Sequence, residues 1–332
     1  VIPSFISFPN MTNSLTRRAL CALALAATGL AHAAYPERPI TLVVPYVPVS
    51  PADVVARTLG EGLGRRLGQT VIVENKPGGN TQIGAVFVAR AKADGYTLVL
   101  GNMDSHAINP LLYKNLPFDV ERDFAPVVPV VTSTTMLIAS PGLAAKNGAE
   151  LIAAAKAQPE KLTYGSWGLG SVAHLWGVLL EQSAGVQLYH VPYQGSPAAM
   201  TALMGNQIDL MFTAPALAVA GAQQGKLKII GSTSAQRLPQ YPDIPTLAEQ
   251  GFRGYEGSTW FGVFAPAGTP ADVLAKLNTE FNAVLRSPET ATRFATLSMV
   301  PQGGTREALA QMQRDSRGKW ARIIADRKIQ LD

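Results

Sequence analysis

Apolar positions along this chain alternate between two periods. Ile40-Thr41-Leu42-Val43-Val44 is apolar almost throughout, the composition of a strand covered on both faces. Beyond it Val55, Leu59, Leu63 and Leu67 recur at every fourth position, which puts one apolar stripe on a helix that Gly68 ends. Val71-Ile72-Val73 reads as a second strand, Ile83 to Ala93 as a second helix, and Tyr96-Thr97-Leu98-Val99-Leu100 as a third strand. Strand, helix, strand, helix, strand in so short a stretch implies right-handed crossovers and a parallel sheet, with strand order 2-1-3 as the simplest arrangement.

The rhythm then restarts. Leu162-Thr163-Tyr164, a helix from Val172 to Ala184, Leu188 to Val191, a short helix opened by Ser196-Pro197 and stopped by Gly205, Ile208 to Phe212 and Lys228 to Ile230 make a second α/β set. Two wound sheets predict two lobes with a crevice between them. Val127 to Ile138 and Gly257 to Ala265 join one rhythm to the other and are expected to cross between lobes. The tail predicts helices opening at Thr269-Pro270, Ser287-Pro288 and Thr305 that return to the first lobe. The expected division is therefore 35–131 with 260–332 as lobe 1 and 132–259 as lobe 2.

Residues 1–34 read as an export leader. Arg17-Arg18 precede the apolar run Ala19 to Ala27, and Ala31-His32-Ala33 has the small-x-small form of a cleavage site. The run is shorter than the roughly 18 residues a membrane span needs. The arginine pair leaves Sec and Tat export both open, and Met11 is an alternative start. Without the leader the chain loses two arginines and no acid, so the formal charge of +5 falls to +3. That is too mild, and too scattered, to suggest a nucleic-acid partner. Cys21, the single cysteine, lies in the leader, and four histidines without ligand spacing predict no metal site. Neither a Walker loop nor a G-x-G-x-x-G turn follows the first strand, so no cofactor is expected.

In open parallel sheets ligands lie beyond the carboxyl ends of strands, where strand order reverses. In lobe 1 that rule selects Pro45 to Asp53 and Gly101 to His106, giving Tyr46, Val49, Ser50, Asp53, Asn102, Asp104, Ser105 and His106 as candidate contacts. In lobe 2 it selects Ser166 to Ser171, with Ser166, Gly168, Gly170, Ser171 and His174 as candidates, then Tyr193, Gly195 and Ser196, and Thr213. Glycine lets backbone approach a ligand, and free N–H groups at a helix start hold an anion without a basic side chain. Ser171 is equally readable as a plain helix cap, and His174 and His106 as packing or loop anchors. A Ser171–His174 nucleophile pair would make the chain a secreted hydrolase or transferase, but neither a third orienting group nor a nucleophile elbow accompanies it.

The segments Val73-Glu74-Asn75-Lys76-Pro77-Gly78-Gly79, Asp94-Gly95-Tyr96-Thr97-Leu98, His106-Ala107-Ile108-Asn109-Pro110, Val191-Pro192-Tyr193-Gln194-Gly195 and Phe264 to Pro270 carry a resemblance. In their order and spacing the chain resembles the Bug-type extracytoplasmic solute-binding receptors of tripartite tricarboxylate transporters. The resemblance spans the sequence from Tyr35 to the last helix. It implies a type II periplasmic-binding-protein fold, a monomeric periplasmic receptor, a small organic carboxylate as ligand and integral-membrane transporter subunits as partners. A signalling partner in place of the transporter is the alternative. It also implies that backbone groups and water from the two lobe 1 loops hold one carboxylate, while the turn Ser166 to Ser171 faces the rest of the ligand. Two departures stand out. Val49-Ser50 replaces the family's usual Gly-Gly, which would reshape the cradle, and Asp104 puts an acid where a dicarboxylate would be repelled and an amine or hydroxyl favoured.

Overall fold

The computed structural model describes residues 35–331; the leader expectation lies outside them. β1 (Ile40–Val44), α1 (Pro51–Leu67), β2 (Val71–Asn75), α2 (Gln82–Ala89) and β3 (Thr97–Asn102) follow one another as two β-α-β crossovers. β1 pairs in parallel with β2 and with β3, so the 2-1-3 order is present. Ser50 caps α1 through its side chain and Gly68 ends it in the left-handed conformation at φ 66°. α2 stops at Ala89, short of the expected Ala93, and begins after Asn80 and Thr81, which both hold positive φ.

A helical segment, α3 (Asn109–Leu112), leads to β4 (Phe124–Thr134), β5 (Met136–Ala139), α4 (Gly148–Ala157), β6 (Thr163–Ser166), α5 (Val172–Ala184), β7 (Tyr189–Pro192), α6 (Ser196–Met204), β8 (Leu210–Thr213), α7 (Pro215–Gln223) and β9 (Lys228–Ser232). β10 (Ser258–Pro266), α8 (Ala271–Leu285), α9 (Pro288–Ala295), β11 (Met299–Pro301) and α10 (Arg306–Asp326) complete the described residues. The first sheet has the order β11-β4-β10-β3-β1-β2 and the second β7-β6-β8-β5-β9.

Both sheets are mixed, which corrects the expectation of a parallel first sheet. β10 lies antiparallel between β3 and β4, and β5 lies antiparallel between β8 and β9. The crossing segments are therefore strands and not connectors. β4 carries Pro126 and Pro129 inside a doubly paired strand, a position that proline normally cannot hold for want of an N–H. Register shifts in the β4–β10 ladder beside each proline resolve the conflict. Asn278 then donates to the Val127 carbonyl at 2.7 Å, and the Gln302 N–H to that of Val130 at 2.9 Å.

Thr135 is the single residue between β4 and β5. Its N–H donates to Thr233 Oγ1 at 2.9 Å and its carbonyl accepts the Thr233 N–H at 2.9 Å, while the Thr233 carbonyl takes the Gly257 N–H at 2.8 Å. The strands that run from sheet to sheet are thus stapled where they cross. At the helix starts, Ser287 and Thr305 cap α9 and α10 as expected. Two others differ: Gly195 at φ 101°, not Ser196, precedes α6, and Pro270 occupies the cap position of α8 while Thr269 bonds the Pro266 carbonyl at 2.7 Å. A continuous apolar cluster runs from Val43, Val99 and Leu112 at the first sheet to Val172, Leu175 and Trp176 on α5, pressing the two layers together.

Candidate functional site

The loop leaving β1 is built on Asp53. This buried carboxylate accepts the Val49 N–H at 2.9 Å, the Asn75 amide at 2.9 Å and Arg57 through both Nε and Nη2, at 2.9 and 3.0 Å. Burial alone would raise its pKa, but Arg57, the Val49 N–H and Asn75 outweigh it and hold the group below the usual range. Ser50 Oγ accepts the Asp53 N–H at 3.3 Å. Asp53 and Ser50 therefore shape the loop from beneath, whereas sequence reasoning offered them as contacts. Val49 sits at the loop's apex with φ 64° and 85 % of its surface exposed. A β-branched residue in the left-handed region is strained, since Cβ crowds the following carbonyl.

After β3, Ser105 Oγ lies 2.7 Å from both Asn102 Oδ1 and His106 Nδ1. His106 points into the core. Its ring is fully buried, stacks on Phe264 at 3.9 Å and meets Phe124 edge-on at 4.8 Å, and burial pushes its pKa down to about 3. Gly101 makes room for that ring, because a Cβ there would lie 2.6 Å from His106 Cε1. The candidate contact is thus a neutral core residue, placed there by the backbone turning into a π-helical stretch, Asp104–Ile108.

On the second sheet, Ser166 Oγ donates to the Gly168 carbonyl at 2.9 Å and sits 2.7 Å from His190 Nε2. Gly168 and Gly170 hold φ of 141° and 77°. Gly170 is also needed sterically, since a Cβ would come within 2.4 Å of Leu331. Ser171 caps α5, accepting the His174 N–H at 3.4 Å, and its hydroxyl donates to the Gly168 carbonyl at 2.7 Å. His174 Nδ1 accepts the Gly170 N–H at 3.2 Å and its ring stacks on His190 at 4.1 Å. Burial lowers the pKa of His174 to about 4, and burial with His174 alongside lowers that of His190 to about 3. The Ser171 hydroxyl faces a carbonyl and not an imidazole, so the nucleophile pair is not assembled.

The two sets of loops meet at Asp104. Its Oδ1 accepts the Val172 N–H, at the first position of α5, at 2.7 Å. Its Oδ2 accepts from the Tyr46 hydroxyl at 2.8 Å and the Asn102 amide at 3.3 Å, Asn102 also bonds the Tyr46 hydroxyl, and the nearby Trp167 indole helps to lower the carboxyl's pKa. Asp104 is 1 % exposed. Burial raises its pKa, against the lowering effect of these donors, and burial followed by the neighbouring Asp104 charge raises that of Tyr46. Tyr46 is half-buried as a residue, with its hydroxyl end enclosed. Tyr46, Asn102 and Asp104 are therefore brought against the turn that carries Gly170 and Ser171, where the first-sheet loops meet the start of α5. Val49 lies at the solvent edge. Tyr193, whose N–H donates to the Ser166 carbonyl at 3.0 Å, Gly195, Ser196 and Thr213 end or follow neighbouring strands of the second sheet.

Sequence reasoning missed Trp167, the Val172 N–H and His190. An aromatic inside a Ser-x-Gly-x-Gly-Ser turn was the available signal for Trp167; the other two depend on tertiary placement. The turns at 45–50, 101–106, 166–171 and 193–196 hold neither lysine nor arginine, so the donors these turns themselves supply are N–H, O–H and indole groups. Among the described residues no group of three or more His, Cys, Asp or Glu is placed to bind a metal, and no helix is long and apolar enough to cross a membrane.

Residues 55–329 match the family model described as "Tripartite tricarboxylate transporter family receptor". Protein BugT of Bordetella pertussis is 31 % identical over 327 residues, 97 % of this chain and 99 % of BugT. The structure of Rpa4515 of R. palustris with adipate superposes with a TM-score of 0.83 at 31 % identity, covering 88 % of this chain and 97 % of that one. MatC of Rhodopseudomonas palustris with bound malate does so with a TM-score of 0.80 at 30 % identity, over 87 % and 100 %. The fold is thus the two-lobed one of these periplasmic binding proteins, and the relatives are receptors, not enzymes. This chain belongs to the tripartite tricarboxylate transporter receptor family, among its Bug-type members.

Proposed function

We propose that this receptor captures a small carboxylate-bearing solute in the periplasm by closing its two lobes around it, and hands it as a monomer to the membrane subunits of a tripartite tricarboxylate transporter. The lobes of this reading are 35–131 with 260–332, and 132–259. The observation that carries it is the convergence of strand-end turns from both sheets on one donor-rich, cation-free point, with Tyr46, Asn102 and Asp104 on one side and Gly170, Ser171 and Val172 on the other. Adipate in Rpa4515 and malate in MatC support an acid as the ligand class.

Binding must offset roughly 4–15 kcal/mol of lost freedom and still leave about −8 kcal/mol for micromolar affinity. Hydrogen bonds to a charged group contribute about 1.5–3 kcal/mol each, so several are required. One lobe's turns are too few, and closure couples occupancy to a shape the transporter can read. The reading gives Tyr46, Val49, Asn102 and the backbone around Ser50 to the first side, and Ser166, Gly168, Gly170, Ser171, Tyr193, Gly195, Ser196 and Thr213 to the second. Asp53, Ser105, His106 and His174 shape the turns from behind.

A thermal-shift screen of the mature receptor against mono-, di- and tricarboxylates, aromatic acids and amino acids tests this. A micromolar ligand at 100 times its dissociation constant adds about 2.7 kcal/mol, a clear rise in Tm. No stabilisation by any acid would sink the proposal.

A further inference from the structure

Asp104 comes from the first-sheet side, yet its carboxylate is bound as a solute's acid group would be on the second. Oδ1 takes the Val172 N–H at the start of α5 at 2.7 Å, and Oδ2 takes the Tyr46 hydroxyl at 2.8 Å and the Asn102 amide at 3.3 Å. A helix start with its N–H groups and dipole favours one anion, and here the chain supplies that anion itself. Neither lysine nor arginine stands in the surrounding turns to neutralise a second one. Two carboxylates within about 4 Å in a partly desolvated site repel strongly. A solute with an acid at each end must therefore expel Asp104 from its donors or lie against its charge.

We propose that Asp104 is a built-in occupant of the second-lobe anion position, so that this receptor selects solutes with a single carboxylate, gripped from the first-lobe side, and discriminates against diacids. This rests on the receptor reading above. It sets the chain apart from Rpa4515 and MatC, whose structures hold the diacids adipate and malate. It also replaces the idea of Asp104 as a direct partner for a ligand amine, because both of its oxygens are already engaged within the protein.

The test is calorimetric titration of the mature receptor, Asp104→Asn and Asp104→Gly with butanoate, benzoate, succinate and adipate. The native protein should bind the best monocarboxylate at least tenfold more tightly than the best diacid. Asp104→Gly, which empties the position, should narrow or reverse that ratio by tenfold or more. Asp104→Asn keeps an acceptor for the Val172 N–H but removes the charge, and should give an intermediate ratio, which preserves the test if the glycine variant folds poorly. Diacid binding by the native protein as tight as monocarboxylate binding, or a ratio unchanged in both variants, would overturn this inference and leave the receptor reading standing. Failure of all three proteins to bind any of these acids, together with no stabilisation by any acid in the thermal-shift screen, would overturn both.

Discussion

Val49 offers a direct test of how the first loop is held. Its φ of 64° is one that a Cβ makes costly, by about 1–2 kcal/mol for an L-residue. The side chain is 85 % exposed, so removing it forfeits almost no burial. The conformation is imposed by the Val49 N–H bond to Asp53, itself fixed by Arg57 and Asn75. Val49→Gly removes the strain but frees the unfolded chain, at a cost of about 0.5–1 kcal/mol. The net expectation is a gain of about 0.5–1 kcal/mol, or roughly 1–2 °C in Tm for a chain of this size. Val49→Ala separates the causes, since it trims the side chain yet keeps Cβ, and should stay within about 0.5 kcal/mol of the native protein. Urea unfolding of the three proteins at equal m-value supplies the comparison. If the glycine variant is no more stable than the alanine variant, the strain argument fails.

Acid should weaken the fold well above the range where ordinary carboxylates titrate. His106, His174 and His190 are held neutral with pKa values of about 3, 4 and 3, whereas an unfolded histidine titrates near 6.5. Below pH 6.5 the unfolded chain gains protons the folded one refuses, so stability is whole above that pH and lost as pH falls. The slope approaches about 1.4 kcal/mol per pH unit for each of the buried pair His106 and His174, and less for half-buried His190. Asp104 and Glu181, whose pKa values burial raises, act in the opposite sense. Urea midpoints that stay level from pH 7 to pH 5 would contradict this. In the second lobe Gly177→Ala should cost about 1–3 kcal/mol, because its Cβ would sit 2.1 Å from the ring of buried Tyr164; an unchanged midpoint would mean the ring can move aside.

The parallel crossovers were legible because each strand is short, apolar and followed by a helix whose stripe and caps are local facts, as with Val55 to Leu67 between Ser50 and Gly68. β4 and β10 were not recognised as strands of the sheets. Pro126 and Pro129 argue against a paired strand, and the bulges that admit them depend on a partner more than 120 residues away in sequence. The same limit applied at the site. Strand-end turns were identifiable from topology rules, but which side chains face inward was not. His106 turned into the core because Gly101 leaves it space, and Asp53 turned under its loop because Arg57 and Asn75 reach it. Asp104 looked like a repulsive oddity in isolation, since its Val172 partner is contributed by the other sheet.

The staple at Thr135, Thr233 and Gly257 constrains how the crevice can open. β4 and β10 are neighbours in one ladder and pass together toward the second sheet, so they cannot slide past each other without breaking register. They can flex jointly, as a ribbon does about its thin direction. If the two sheets part by this joint bending alone, the separation of the facing turns follows one angle, and solutes of different length call for adjustment by side chains and water at the rim rather than a second direction of travel.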